Sequence, residues 1–423
     1  MRKNYSLLLT AFMLFVVQFL FAQNIITNQV IVCSGGNFNN PDDYVSVASY
    51  KPSDASTSEF GTIFTQSVQD IVIDGHFAYV AAQDSIVKFN IDTYERIAAT
   101  EAIGVHNLAV ADDILIASFW YPATKNFVQS FSTKDLSQLA VFSDISDEAA
   151  GILIYKDLAY VAIPGGWAST KGKIAVIKFA RDILIEEIDL GEKGVGVSDL
   201  FFLQGDGDFL VSVNKSPWGT AIGYLSLIDL SNHEPISFAF EASIGSGIEL
   251  FKDDLYLMID GGIGRIDLAL MKITEPEVVP NPGNGFSAAA LDVLNGLFYA
   301  TTTDYTTTGE GTIYNMEGEI SGSFKAGISA EALAIDYRDN TGIFEKSTAE
   351  KLSVFPNPAT QLINFSIPNG QEVINTFVMD ISGRVVYHGT DNKQVNVSEL
   401  NPGLYFITIE TTASVFTGKF VKQ

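Results

Sequence analysis

The chain has 423 residues, 47% of them hydrophobic, enough for more than one domain with a large core. Asp and Glu number 50 against 25 Lys and Arg, a net charge of -25 at pH 7. That balance excludes nucleic acid and anionic membrane surfaces as partners, and suits a soluble exported protein that meets a neutral or cationic one.

The N-terminus reads as a signal peptide over residues 1–22. Arg2 and Lys3 form a charged start, "LLLTAFMLFVVQFLFA" (Leu7 to Ala22) an apolar run, and cleavage is expected near Ala22. The alternative, an uncleaved anchor, is disfavoured because the run is at the short end for spanning a bilayer. No later segment is apolar enough to span, so the mature chain is expected to have no transmembrane segment. The single cysteine, Cys33, cannot form an internal disulfide. Within "QVIVCSGG" it reads as a small buried side chain at a strand end.

Short β-rich runs separated by Asp, Asn and Gly turns then fill the chain as far as about Asn340, an all-β signature. One phrase recurs: a short strand, an acidic or glycine turn, then a strand holding Tyr or Phe. It reads "DIVIDGHFAYVAA" from Asp70, "NLAVADDILIASF" from Asn107, "GILIYKDLAYVAI" from Gly151 and "DLFFLQGDGDFLVSV" from Asp199. "GIELFKDDLYLMI" from Gly247 and "ALDVLNGLFYATT" from Ala290 complete the set. A period of roughly 40 to 50 residues predicts a β-propeller with four strands, a to d, in each blade. Each phrase supplies strands a and b, and runs such as "SIVKFNI" (Ser85 to Ile91) and "KIAVIKF" (Lys173 to Phe179) supply strand c.

The two ends complete each other. "ALAIDYR" (Ala332 to Arg338) reads as a strand a with no strand b after it. "NQVIVCSGG", "DYVSVAS" and "EFGTIF" read as b, c and d with no strand a before them. Together they make a seventh blade from both termini, a clasp over residues 28–340 that leaves no open sheet edge at the closure. The blade phrase "YVAAQDSIVKFNIDTYERIAAT" (Tyr79 to Thr100) resembles the seven-bladed YVTN/YncE-like propellers. That resemblance implies the fold and says little of function, since propellers host many.

Residues 341–351 read as a linker, and residues 352–423 as a small β-sandwich, from alternating apolar and polar residues. Pro356 and Pro358 keep its opening extended, and Gly383 and Gly403 sit at turns. Three motifs occur in order: "FPNP" (Phe355, Pro356, Asn357, Pro358), "DISGR" (Asp380 to Arg384, with Gly383 and Arg384), and "LNPGLY" (Leu400 to Tyr405, with Gly403 and Tyr405). Lys419 and Lys422 close the run. The set resembles the C-terminal sorting domain (type A) of type IX secretion. The resemblance implies passage through the periplasm by the Sec pathway, handling by the type IX machinery, and a mature protein on the cell surface or released.

The long loops of the propeller carry its aromatics. Trp120, Trp167 and Trp218 each fall in a b–c loop, on three consecutive blades, and Tyr121 and Tyr305 extend the set. They predict an aromatic crescent on one face, suited to a small molecule, glycan or protein. The alternative is that each tryptophan packs on its own blade or the neighbouring loop. Strand-a starts predict a polar ring at the channel mouth: Gln69, Asp70, His106, Asn107, Ser198, Asp199, Ser246 and Glu331. Such a ring could hold a divalent ion such as calcium, or only water.

Of the four histidines only His106 reaches that mouth, so no multi-histidine metal site is expected, and no cofactor is called for. "GDGD" (Gly205 to Asp208) reads as a hairpin turn, since it lacks the further ligands of a calcium loop. The reading favoured is a secreted binding propeller rather than an enzyme. YVTN/YncE-like relatives include surface propellers that capture cobalamin, which makes a planar nutrient one candidate ligand. A lactonase- or lyase-like enzyme with a divalent ion at the mouth, and a structural surface protein, are the alternatives.

Overall fold

The computed structural model describes residues 25–165, 171–204, 207–217, 219–339, 350–367, 373–380, 385–390, 393–411 and 415–423. The expected signal peptide, residues 1–22, lies outside them. The chain divides into two units, Met1–Asn340 and Thr341–Gln423.

In the first unit seven antiparallel sheets of four strands are built from these residues. We number them from the N-terminus. The inner strands of sheets 2 to 7 are Asp70–Asp74, Val105–Ala111, Ile152–Tyr155, Val197–Gln204, Ile244–Phe251 and Ala288–Asp292. Sheet 1 takes its inner strand, Ser329–Asp339, from the far end of the unit and its other three, beginning with Ile25–Gly35, from the N-terminus. The seven inner strands touch in order around a closed ring, so the unit is a β-propeller. The clasp is real: Ile25–Gly35 pairs with Ser329–Asp339 along its whole length. It begins earlier than the expected residue 28.

Burial explains the strand order. The second strands, such as Phe77–Ala82 (FAYVAA), are packed on both faces between neighbouring sheets and carry almost only apolar residues. The outer strands, such as Glu95–Glu101, face water and turn polar. The core is a series of seams. One joins sheets 1 and 2 through Ile31, Val47, Val80 and Phe89. The next joins sheets 2 and 3 through Tyr79, Ile86, Leu115 and Phe131. Each such side chain contributes about 1.5–3 kcal/mol by leaving water. Cys33 is fully buried in the first seam, which pushes its thiol well above the ordinary range.

The second unit is a sandwich. A five-stranded sheet (Glu350–Lys351, Val373–Asp380, Val385–Gly389, Gly403–Thr411, Val415–Lys422) faces a three-stranded one (Val354–Phe355, Leu362–Phe365, Gln394–Asn396). Ile363, Phe365 and Val395 from the small sheet meet Val378, Ile407, Ile409 and Phe420 from the large one. The end of the expected linker is already structural here, because Glu350–Lys351 pairs in parallel with the last strand.

Candidate functional site

A repeated four-residue step opens three inner strands, at residues expected to ring the channel mouth. Val68-Gln69-Asp70-Ile71, Val105-His106-Asn107-Leu108 and Val197-Ser198-Asp199-Leu200 open the inner strands of sheets 2, 3 and 5. The valine is buried in each case. The acidic or amide residue reaches sideways. Asp70 Oδ2 accepts from Leu108 N in sheet 3 at 2.8 Å and from Asn107 Nδ2 at 3.3 Å. Asp199 Oδ2 accepts from Gly247 N in sheet 6 at 3.0 Å and from the Ser198 hydroxyl at 2.6 Å. These amides are free to donate outward because sheets 3 and 6 slip register there, between Val105 and Leu108 and between Ile244 and Gly247.

The two carboxylates therefore tie neighbouring sheets together. Burial raises Asp70 to about 6 against the pull of its N–H donors, and the charge of Asp199 adds to the rise. Gln69 accepts from Gln83 N and donates to Ser67, so it too is held within the fold. Burial raises Glu331. Ser246 and Glu331 lie on the inner strands of sheets 6 and 1. Among the described residues no three His, Cys, Asp or Glu side chains converge in a way that could hold a metal ion.

His106 joins the inner strand of sheet 3 to Trp120. Its Nδ1 lies 2.5 Å from Asn107 Oδ1, and the Asn107 amide nitrogen turns to Asp70. Burial holds its pKa below the ordinary histidine value. The ring is stacked on Trp120, with centroids 4.9 Å apart and planes at 27°. Trp120 is the first residue past the second strand of sheet 3, Ile114–Phe119, and is half-buried. It packs on the seam that includes Ala150, Tyr160 and Val197.

These residues wall a cavity of about 430 Å³ between sheets 3, 4 and 5. Sheet 3 supplies His106 and Trp120, sheet 4 Pro164, and sheet 5 Ser198 and Lys215, with Ala150, Val195, Gly196, Ser216 and Pro217 between. Three wall residues hold equivalent places. Trp120, Pro164 and Lys215 are each the residue that leaves a second strand. Two are seated by glycines of the same kind. Gly104 (φ +79°) accepts from Trp120 N at 2.7 Å, and a Cβ on it would stand 2.4 Å from the Trp120 carbonyl oxygen. Gly196 (φ +80°) accepts from Lys215 N at 2.9 Å, and its Cβ would stand 2.5 Å from the Lys215 carbonyl oxygen. Only glycine meets both conditions without strain.

The other expected residues divide. Tyr121 and Tyr305 are exposed, at 77% and 52%. Tyr305 lies in the sheet 7 loop, where its carbonyl accepts from Phe38 N of sheet 1 at 3.3 Å, and it does not line the cavity. Trp167 and Trp218 fall outside the described residues. By position they lie four residues past their strands, Leu158–Ile163 and Asp208–Asn214, whereas Trp120 lies one past its own. The sequence reading missed Lys215, Pro164 and the exposed Phe38 and Phe64. A signal for Lys215 existed: "GVHNL" from Gly104 and "GVSDL" from Gly196 mark the same seat. Asp208 of "GDGD" accepts from the Tyr155 hydroxyl and from Lys156, as a hairpin residue tied to the preceding sheet.

In the second unit Asn357 of "FPNP" accepts from Val421 N at 2.9 Å and donates to Lys419 O at 3.3 Å. Its flanking prolines, Pro356 and Pro358, both follow cis peptide bonds, and Phe355 is 55% exposed. Tyr405 donates to Asn401 O at 2.9 Å. The opening motif is thus stitched to the closing strand. Gly383 and Arg384 fall outside the described residues, and Gly403 begins its strand.

A family model of the secretion system C-terminal sorting domain matches residues 353–423. No curated protein matches the chain. Among solved structures, a hypothetical selenium-binding protein from Sulfolobus tokodaii is 11% identical with a TM-score of 0.56, over 75% of this chain and 94% of that one. PorZ, described as an essential surface component of the type IX secretion system of Porphyromonas gingivalis, is 13% identical with a TM-score of 0.47. It is matched over 94% of this chain and 58% of that one. The extracellular domain of a one-component system from B. thetaiotaomicron is 11% identical with a TM-score of 0.48, over 94% of this chain and 57% of that one. The first likeness shows fold alone. The sorting domain implies export by type IX secretion, with the secretion machinery as a partner and a secreted or cell-surface location. No helix among the described residues is long and apolar enough to cross a membrane.

Proposed function

We propose that this protein is a binding protein. Its seven sheets are the seven blades of a YVTN/YncE-like propeller that follows a Sec signal peptide and takes up a small molecule on one face. The observation that carries the reading is the cavity beside Trp120. At about 430 Å³ it falls in the size range of small-ligand sites, about 300–1,000 Å³, and its walls are largely apolar with few polar groups. The mouth carboxylates support binding over metal-assisted catalysis, because Asp70 and Asp199 already serve backbone amides of the next sheet.

The test is native mass spectrometry of the protein purified from the medium or cell surface, as wild type and as Trp120→Ala. A small molecule carried by the wild type and lost from the variant is the expected result. The same bound species on both proteins, or none on either after incubation with a metabolite extract, would overturn the reading.

A further inference from the structure

We infer that the cavity between sheets 3, 4 and 5 takes a planar aromatic carboxylate, with Lys215 as its counter-charge. The inference rests on the binding reading above and adds the chemical class of the ligand.

The geometry supplies three arguments. First, Lys215 is the only cationic side chain on the cavity wall among the described residues, and it has no carboxylate within salt-bridge distance there. Among the described residues the other half-buried lysines, Lys173 and Lys178, pair with Glu187 and Asp157, whereas Lys215 has no ion pair. Lysine loses hydration when its surroundings are apolar, and an anionic ligand restores the missing interaction. Second, the acid that follows the wall residue Ser198 is engaged. Asp199 accepts from Ser198 and from Gly247 N, so its charge is met within the fold. Third, the remaining walls are stiff and flat. Trp120 is held on His106, and Pro164 and Pro217 have no freedom at φ. A flat apolar body fits such walls at little entropic cost.

The net charge of -25 does not argue against an anion here. Most of that charge is on exposed side chains, and at physiological salt exposed charges separated by more than about 8 Å are largely screened.

The experiment is equilibrium dialysis of the full exported protein with three probes of one shape: 2-naphthoate, 2-naphthalenemethanol and 2-naphthylmethylammonium. The expected order is carboxylate first, the alcohol at least tenfold weaker, and the ammonium weakest. Lys215→Gln should reduce the carboxylate to the level of the alcohol and leave the alcohol unchanged. Lys215→Arg should keep the preference, and Trp120→Ala should weaken both probes. Melting curves confirm that each variant is folded. If the alcohol binds through Trp120 and the carboxylate has no advantage, the binding face stands and the role of Lys215 falls. An unchanged affinity of Lys215→Gln for the carboxylate overturns it equally. If no probe binds, the planar aromatic class falls, and the binding reading is decided by the mass spectrometry above.

Discussion

At the scale of single residues, the site depends on backbone seats more than on side-chain chemistry. A lone lysine or a proline in a loop reads from sequence as a solvated residue or a turn. Lys215 and Pro164 reach the cavity only because three sheets direct their strand exits at one space. The starts of the inner strands were legible, because they carry alternation and a repeated step. Their use was not, because it needs the register slips that turn Leu108 N and Gly247 N sideways. Asp70 offers a test by pH. Its folded-state value, about 6, lies above its unfolded one, so its contribution to stability is complete below pH about 4 and is lost as pH rises through 6. The melting temperature of wild type relative to Asp70→Asn should therefore fall between pH 4 and 6.5 and stay level above. A difference that is flat across that range would mean that Asp70 is not the buried tie described.

Among the elements, sheet 1 shows what patterning can and cannot give. The need for a strand from each end followed from one unmatched strand a and three unmatched partners. The fastening was invisible. Gln29, 1% exposed, donates to Asp336 Oδ2 at 3.0 Å and to Ile91 O of sheet 2 at 2.9 Å, and accepts from Ser49 and Tyr94. Asp336 also accepts from Asn28 and Arg338. Glutamine in a strand gives no sign of this, since polar residues usually mark the wet face. Replacing Gln29 by Ala leaves several buried groups short of a partner, and should cost about 2–3 kcal/mol in chemical denaturation. A loss below about 0.5 kcal/mol would show that water can replace the amide. Boundaries were the other limit. The third strand of sheet 4 ends at Lys178, because Phe179 turns into a short 3-10 segment and buries its ring.

For the molecule as a whole, the division into a propeller and a sorting sandwich was legible because composition and motif change together near residue 350. The cavity wall was not, since it rests on convergence between repeats rather than on any one of them. Each unit has its own core, so a chain ending at Asn340 should keep the propeller and lose only its route out. Fractionation should find that truncated chain folded and retained in the periplasm, with a melting transition like the parent's. Its appearance in the medium at parental levels would remove the sorting role from residues 353–423.

The clasp also dictates the order in which the molecule can be finished. Asn28 and Asp336, joined in sheet 1, are 308 positions apart. A chain delivered N-terminus first holds three strands of that sheet long before the fourth exists. Bringing ends that far apart together costs about 5 kcal/mol from the logarithm of loop length, before any contact repays it. Until then Ile25–Gly35 carries an unpaired edge whose residues from Gln29 to Gly35 are all destined for burial. Such an edge can recruit a second chain as readily as its own last strand. Ring completion is therefore the slow step and the point of greatest hazard. A holdase that covers this one strand would protect the whole propeller until its end arrives.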